Sequence, residues 1–240
     1  MKKQIKGRRE FLTNTTKVMG GVLAGGLTIH NMAAATFPDN RREDETVIPR
    51  RRAKIATISQ AGLRDDAGEK MVERVLGIME HVAKFKPDII CLPETFATNG
   101  RGSKDALSWK AEITALAVGR MSEFAKKHHC YVVCSGHRLH NGKYYITAEL
   151  IDRNGISVGD YKKSYLPEDE MNAGITPGPL ENPVFDTDFG RIGFQICFDL
   201  LWDNGWNELK DQGVEIVFWP SAYSGGRAIN GKAWSHQYIV

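Results

Sequence analysis

The sequence predicts a layered α/β domain. Strand-like apolar runs alternate with segments of helical periodicity, and two Asn-Gly turns divide a block of three strands. Taken in order, Ala53–Gln60 reads as a strand. Glu69–Phe85 then places Val72, Val75, Leu76, Met79 and Val82 on one helical face. Ile89-Ile90-Cys91-Leu92 is continuously apolar and stops at Pro93, the pattern of a strand buried on both faces. Ile113, Leu116, Ala117, Met121 and Phe124 mark a second helix. Cys130–Leu139, Tyr144–Asp152 and Ile156–Leu166 follow, separated by Asn141-Gly142 and Asn154-Gly155, so three antiparallel strands are expected. Arg191–Cys197 and Glu215–Trp219 complete the strands, with a short helix around Trp206–Asp211 between them. No internal repeat interrupts this order.

With 240 residues, 42% of them hydrophobic and 25% charged, the chain is long and apolar enough for one ordinary domain. Its charge is unevenly placed. Residues 1–35 hold Lys2, Lys3, Lys6, Arg8, Arg9 and Lys17 against Glu10, a net of five positive charges, so the formal +3 of the whole becomes −2 without them. A mature chain near −2 has no charge reason to bind nucleic acid or an anionic membrane, and a small neutral or polar partner fits it better.

The basic start, the Gly-rich apolar run Val18–Ile29 and the small residues Ala33-Ala34-Ala35 form the three zones of a signal peptide. Within it, Arg8-Arg9-Glu10-Phe11-Leu12 resembles a twin-arginine export motif, an address read by a receptor. The apolar run is about a dozen residues where a span needs about 20, so stable membrane insertion is not expected. The expected organisation is a signal peptide over 1–35, a charged linker over 36–52 and a domain over 53–240, in a periplasmic or otherwise exported protein.

Chemistry-bearing side chains stand at three predicted strand ends: Glu94 in Leu92-Pro93-Glu94, Lys163 in Tyr161-Lys162-Lys163, and Cys197 in Gln195-Ile196-Cys197-Phe198-Asp199. Strand ends are where α/β folds place ligand sites. A cysteine nucleophile needs a base for its proton and a donor for the oxyanion, and these residue types supply both. Alone, each has a structural reading: Cys197 as a small buried hydrophobe, Glu94 as a helix cap, Lys163 as a solvated strand end. Their occurrence together, in order, favours chemistry.

The segments together resemble the nitrilase superfamily of carbon–nitrogen hydrolases from about Ala53 onward. The matching features are Leu92-Pro93-Glu94, the Gly159-x-Tyr161-x-Lys163 segment, the Pro177-Gly178 turn, Cys197-Phe198-Asp199 and Trp219-Pro220-Ser221-Ala222. The resemblance implies a four-layer αββα sandwich that dimerises through its outer elements, hence a homo-oligomer. It also implies Glu94 as general base, Lys163 as the cation at the oxyanion and Cys197 as nucleophile, with no cofactor and no metal. A second carboxylate before the Pro-Gly turn is implied to orient substrate and lysine, with Glu170 fitting best and Glu168 next. Tyr165 stands where the family often has His. The sequence ends in what resembles the last large helix, so the C-terminal strands of the sandwich are expected to be missing.

On this reading the protein hydrolyses a small amide or N-carbamoyl compound, with Phe198 lending its backbone N–H to the oxyanion. Trp202, Trp219 and Tyr223 are expected to wall the pocket, and Arg227 to pair with a substrate carboxylate. Nitrile hydrolysis, acyl transfer with the same triad and a catalytically inert exported binding protein are the alternatives. Cys130 and Cys134, on one strand, would lie about 13 Å apart at about 3.3 Å per residue, too far for a disulfide. Asp199 is expected to fix the loop after the nucleophile, and His137 and His140 to be exposed neighbours of the Asn141-Gly142 turn.

Overall fold

The structure is a computed structural model that describes residues 52–59, 62–64 and 66–240. The signal peptide and nearly all of the linker expected from the sequence lie outside the described residues.

Among the described residues, eight strands form two sheets. The first has the order β1 (Ile55–Thr57), β2 (Ile89–Cys91), β3 (Tyr131–His140), β4 (Lys143–Ile151), β5 (Ser157–Lys162). Strands β1, β2 and β3 run parallel, while β3–β4 and β4–β5 are antiparallel. The second sheet has β6 (Val184–Thr187) antiparallel to β7 (Gly190–Phe194), which is parallel to β8 (Ile216–Phe218). Helices α1 (Glu69–Ala83) and α2 (Leu107–His128) cover the outer face of the first sheet. On the second sheet α4 (Asn204–Asp211) and α5 (Gly226–His236) do the same, and α3 (Glu168–Asn172) follows β5.

Side-chain parity along the strands builds the layers, because successive residues face opposite sides of a sheet. On β3, Val132 and Cys134 join Met71, Val75, Met121 and Phe124 under the helices, whereas Val133 faces the other way. Val133, Ile146, Ala148 and Leu150 meet Ile192, Phe194, Ile216 and Phe218 of the second sheet in a core between the sheets. Val217 points outward instead, against Leu200, Trp206, Leu209 and Tyr238. The result is an αββα sandwich.

The predicted elements are present with trimmed ends. Gly142 has φ 75° and Asn141 φ 49°, so both central residues of the β3–β4 turn sit in the left-handed region that this tight hairpin requires. Helix α1 ends at Ala83 rather than Phe85, and β1 keeps only three of eight expected residues as an edge strand. Strand β6 was not expected from the sequence, since Val184 and Phe185 are its only apolar residues. His137 is a correction: it is 6% exposed, because its position on the long β3 turns it away from solvent, while His140 is exposed. Helix α5 stops at His236, and Ile239 lies beside β8, giving its N–H to Glu215 and its carbonyl to the N–H of Val217.

Candidate active site

Three strand ends from two sheets deliver the reactive side chains to one place. Beyond β2, the N–H of Leu92 still donates to the Val133 carbonyl at 3.0 Å, and Pro93 then stops the ladder. Glu94 follows at 3% exposure. Its backbone is held by Asn99, whose side-chain amide donates to the Glu94 carbonyl and, at 2.6 Å, to Thr95 Oγ1.

Lys163 comes one residue after β5. Its N–H donates to Ile146 and its carbonyl accepts from Gly178 at 2.8 Å, so the backbone is fixed on both sides. Its side chain is 1% exposed in relative terms. The ammonium donates to Glu94 Oε1 at 2.8 Å and to both oxygens of Glu170, at 2.7 and 2.8 Å. Burial alone would lower its pKa, but Glu94, Cys197 and Glu170 outweigh that and push it to about 12. The lysine therefore stays charged. Glu170 is raised as well: burial, the largest cause, outweighs the opposing pull of Lys163.

Cys197 opens the short 3-10 turn Cys197–Leu201 after β7 with φ 46°, a left-handed conformation that is strained for a residue with a Cβ. Three sets of contacts hold it there. Its N–H donates to the Pro220 carbonyl at 3.0 Å. Its carbonyl accepts the Trp219 indole N–H at 3.0 Å and the Tyr223 hydroxyl at 3.4 Å. The buried Asp199 carboxylate accepts from the N–H groups of Ile196 and Tyr165 and from the Tyr161 hydroxyl, each at 2.8 Å. Asp199 thus ties the nucleophile turn to β5 and to the segment carrying Lys163.

Burial pushes the Cys197 thiol up to about 12, and the negative charge and hydrogen bond of Glu94 add to this, over the opposing effects of Lys163 and Ser221. The sulfur is thus a neutral thiol that needs a base, and Glu94 is its neighbour. The second oxygen of Glu94, Oε2, accepts the Ala222 N–H at 3.1 Å. Base, cation and nucleophile form one hydrogen-bonded cluster with Glu170 behind the lysine.

The remaining sequence candidates are placed less centrally. Glu168 is exposed, with no contact to Lys163 among the described hydrogen bonds. The Phe198 ring packs edge-on against Trp202 at 4.9 Å, and Trp202 stacks on Tyr165 at 4.3 Å. Arg227 lies exposed on α5. A cavity of about 790 Å³ opens between β1, β2 and β8, walled in part by Pro93, Trp219, Ser221, Ala222 and Tyr223. Trp202, Arg227 and the triad do not line it, so the cavity adjoins the cluster through the neighbours of Glu94 rather than containing it. The geometry of the cluster, not the size of the cavity, locates the chemistry. Cys91 and Cys130 are buried thiols pushed up to about 12 and 11, Cys134 is raised further, and burial is the main cause in all three. His128 pairs with Glu80.

The hold of Trp219, Ser221 and Ala222 on Glu94 and Cys197 was not readable in the sequence. Their segment stood out as a motif, but its partners are over 20 residues away and on other strands.

A four-layer αββα sandwich with a buried Glu and Lys and a half-buried Cys at adjoining strand ends defines the class of nitrilase-like folds. Residues 55–238 match the carbon-nitrogen hydrolase family, and the chain belongs to it. N-carbamoylputrescine amidase of Arabidopsis thaliana is 31% identical over 108 residues, 44% of this chain and 36% of that protein. Deaminated glutathione amidase of Dictyostelium discoideum is 24% identical over 191 residues, covering 72% of this chain and 64% of that one. The chain thus spans about a third of the Arabidopsis relative it matches. Among solved structures, an amidase from Nesterenkonia sp. superposes with TM-score 0.65 at 21% identity, over 80% of this chain and 76% of the other, which shows the shared fold.

Proposed function

We propose that this protein is an exported hydrolase that cleaves a C–N bond of a small amide or N-carbamoyl compound through a Cys197 thioester. The observation that carries the reading is the convergence of Glu94, Lys163, Glu170 and a neutral Cys197 thiol in one buried cluster. Glu94 takes the thiol proton as sulfur attacks the carbonyl carbon. Lys163 and the Phe198 N–H stabilise the oxyanion, and Glu94 hands its proton to the departing ammonia or amine. Water, activated by the same carboxylate, then cleaves the thioester. Glu170 keeps the lysine charged and aimed. The amidase and N-carbamoyl amidase names of the relatives support this substrate class, as does Phe198-Asp199 after the nucleophile, where nitrile-cleaving members tend to carry Trp-Glu. Homo-oligomerisation and twin-arginine export belong to the same proposal.

The test compares kcat/KM for a nitrile, an amide and an N-carbamoyl compound bearing the same side group, with Cys197→Ala as control. The amide or N-carbamoyl compound is expected to be preferred, and Cys197→Ala to lose on the order of 10⁴-fold or more. Preference for the nitrile would overturn the substrate class, and turnover by Cys197→Ala would overturn the mechanism. Lys163→Met should abolish activity and also cost about 3–5 kcal/mol of stability, since it leaves the buried Glu94 and the half-buried Glu170 without their cation.

A further inference from the structure

Trp219 follows β8 directly, and its indole N–H donates to the main-chain carbonyl of Cys197 at 3.0 Å. The same carbonyl takes the weaker 3.4 Å contact from the Tyr223 hydroxyl. A trans peptide is planar, with its C=O and N–H pointing in opposite directions. Anchoring the Cys197 carbonyl therefore also sets the direction of the Phe198 N–H, the other half of that peptide unit. The Phe198 N–H lies in the first turn of the 3-10 segment, where N–H groups have no partner within the helix and are available to a group outside it. This peptide follows a residue held at φ 46°, a position from which it would relax if released.

The geometry points to Trp219 as a positioning residue: its indole N–H locks the Cys197–Phe198 peptide plane so that the Phe198 N–H faces the oxyanion formed on attack by Cys197. This inference rests on the thioester reading above and extends it to a residue that acts through the Cys197 carbonyl rather than on the reacting atoms. The indole holds the ring in place by other contacts as well. It meets the Tyr223 ring edge-on at 5.3 Å, and its far edge lies close enough to Gly225 that a Cβ there would come within 2.6 Å. The N–H can therefore be removed while the ring stays.

The experiment replaces Trp219 by β-(3-benzothienyl)alanine, which keeps the bicyclic shape and puts sulfur in place of N–H, with Trp219→Phe as a second variant. Two reactions are followed in the wild type and both variants: amide hydrolysis, and alkylation of Cys197 by iodoacetamide. In alkylation the S–C bond forms as C–I breaks, iodide leaves and the thiol proton goes to Glu94, so no oxyanion arises. Loss of a positioned donor should lower kcat about 10- to 100-fold with KM nearly unchanged, and leave the alkylation rate within about twofold of wild type. An unchanged kcat in the benzothienyl variant would overturn the inference. So would a fall in alkylation parallel to that in kcat, which would mean the nucleophile turn itself had loosened. Cys197→Ala is run beside them: if it still hydrolyses the amide, the thioester reading fails and the role of Trp219 falls with it. If Cys197→Ala is inactive and only the Trp219 variants match wild type, the reading stands and the Trp219 inference alone fails.

Discussion

At the scale of single residues, the site solves a conflict between burial and charge. An ammonium at 1% exposure is tolerable because two carboxylates face it, and breaking such a set is far more costly than the set is stabilising. The nucleophile is treated differently. Burial and the Glu94 charge raise its pKa, so the resting sulfur keeps its proton and reactivity depends on transfer to Glu94 during attack. A pH prediction follows from the sign of this shift. A group raised to about 12 ionises only well above neutrality, so the Glu94-assisted iodoacetamide rate at Cys197 should stay nearly flat between pH 6 and 9.5, whereas in Glu94→Gln, which lacks the base, it should be slower and climb with pH through that range. A free thiol would level off above about 8.5. The check is the rate profile of wild type and Glu94→Gln, corrected by Cys197→Ala. A flat profile that persists in Glu94→Gln would mean a preformed thiolate and would contradict the base role of Glu94.

Among the elements, the strand ends and their connecting turns decide the geometry. Parity and turn chemistry made most of the strands legible: the Asn141-Gly142 hairpin and the apolar β2 run could be read directly. The Pro177-Gly178 turn was visible as a motif, but its physical reason lies across the fold. A Cβ on Gly178 would sit 2.3 Å from the Lys162 carbonyl oxygen, while the Gly178 N–H donates to the Lys163 carbonyl. Gly178→Ala should therefore push the backbone that carries the lysine, costing about 1–3 kcal/mol in stability and at least tenfold in kcat. Chemical denaturation and steady-state kinetics measure the two, and a fully active, equally stable variant would show that Lys163 is placed by its carboxylate partners alone. Strand β6 and the course of the chain after α5 left no such signal, since each has few apolar residues and is stabilised by pairing with strands remote in sequence.

For the whole molecule, the first 35 residues carry a net charge of +5 against −2 for the remainder, and the proposed export gives them a role apart from catalysis. The pair Arg8-Arg9 is expected to be read by an export receptor through guanidinium geometry, which an ammonium does not reproduce. Replacing both with Lys should leave the precursor in the cytoplasm, as fractionation and immunoblotting would show. Undiminished periplasmic protein would count against this route. Within the domain, the chemistry lies where the end of the first sheet meets the end of the second: Glu94 and Lys163 come from one sheet, Cys197 and the segment after β8 from the other. Neither sheet has a complete site by itself.

The roles of Glu94, Lys163 and Cys197 and the choice of Glu170 over Glu168 were implied only by the family resemblance; the sequence alone determined the layered α/β class, most strands and the three chemistry-bearing strand ends. Those are local facts of pattern, residue type and spacing, which need no knowledge of what lies opposite. Tertiary structure alone decided that His137 is buried, that Trp202 and Arg227 stand away from the cavity, and that the nucleophile is strained, protonated and pinned through its carbonyl by Trp219. Burial, pKa and hydrogen-bond direction depend on groups brought together from distant parts of the chain, and that is why no stretch of sequence carries them.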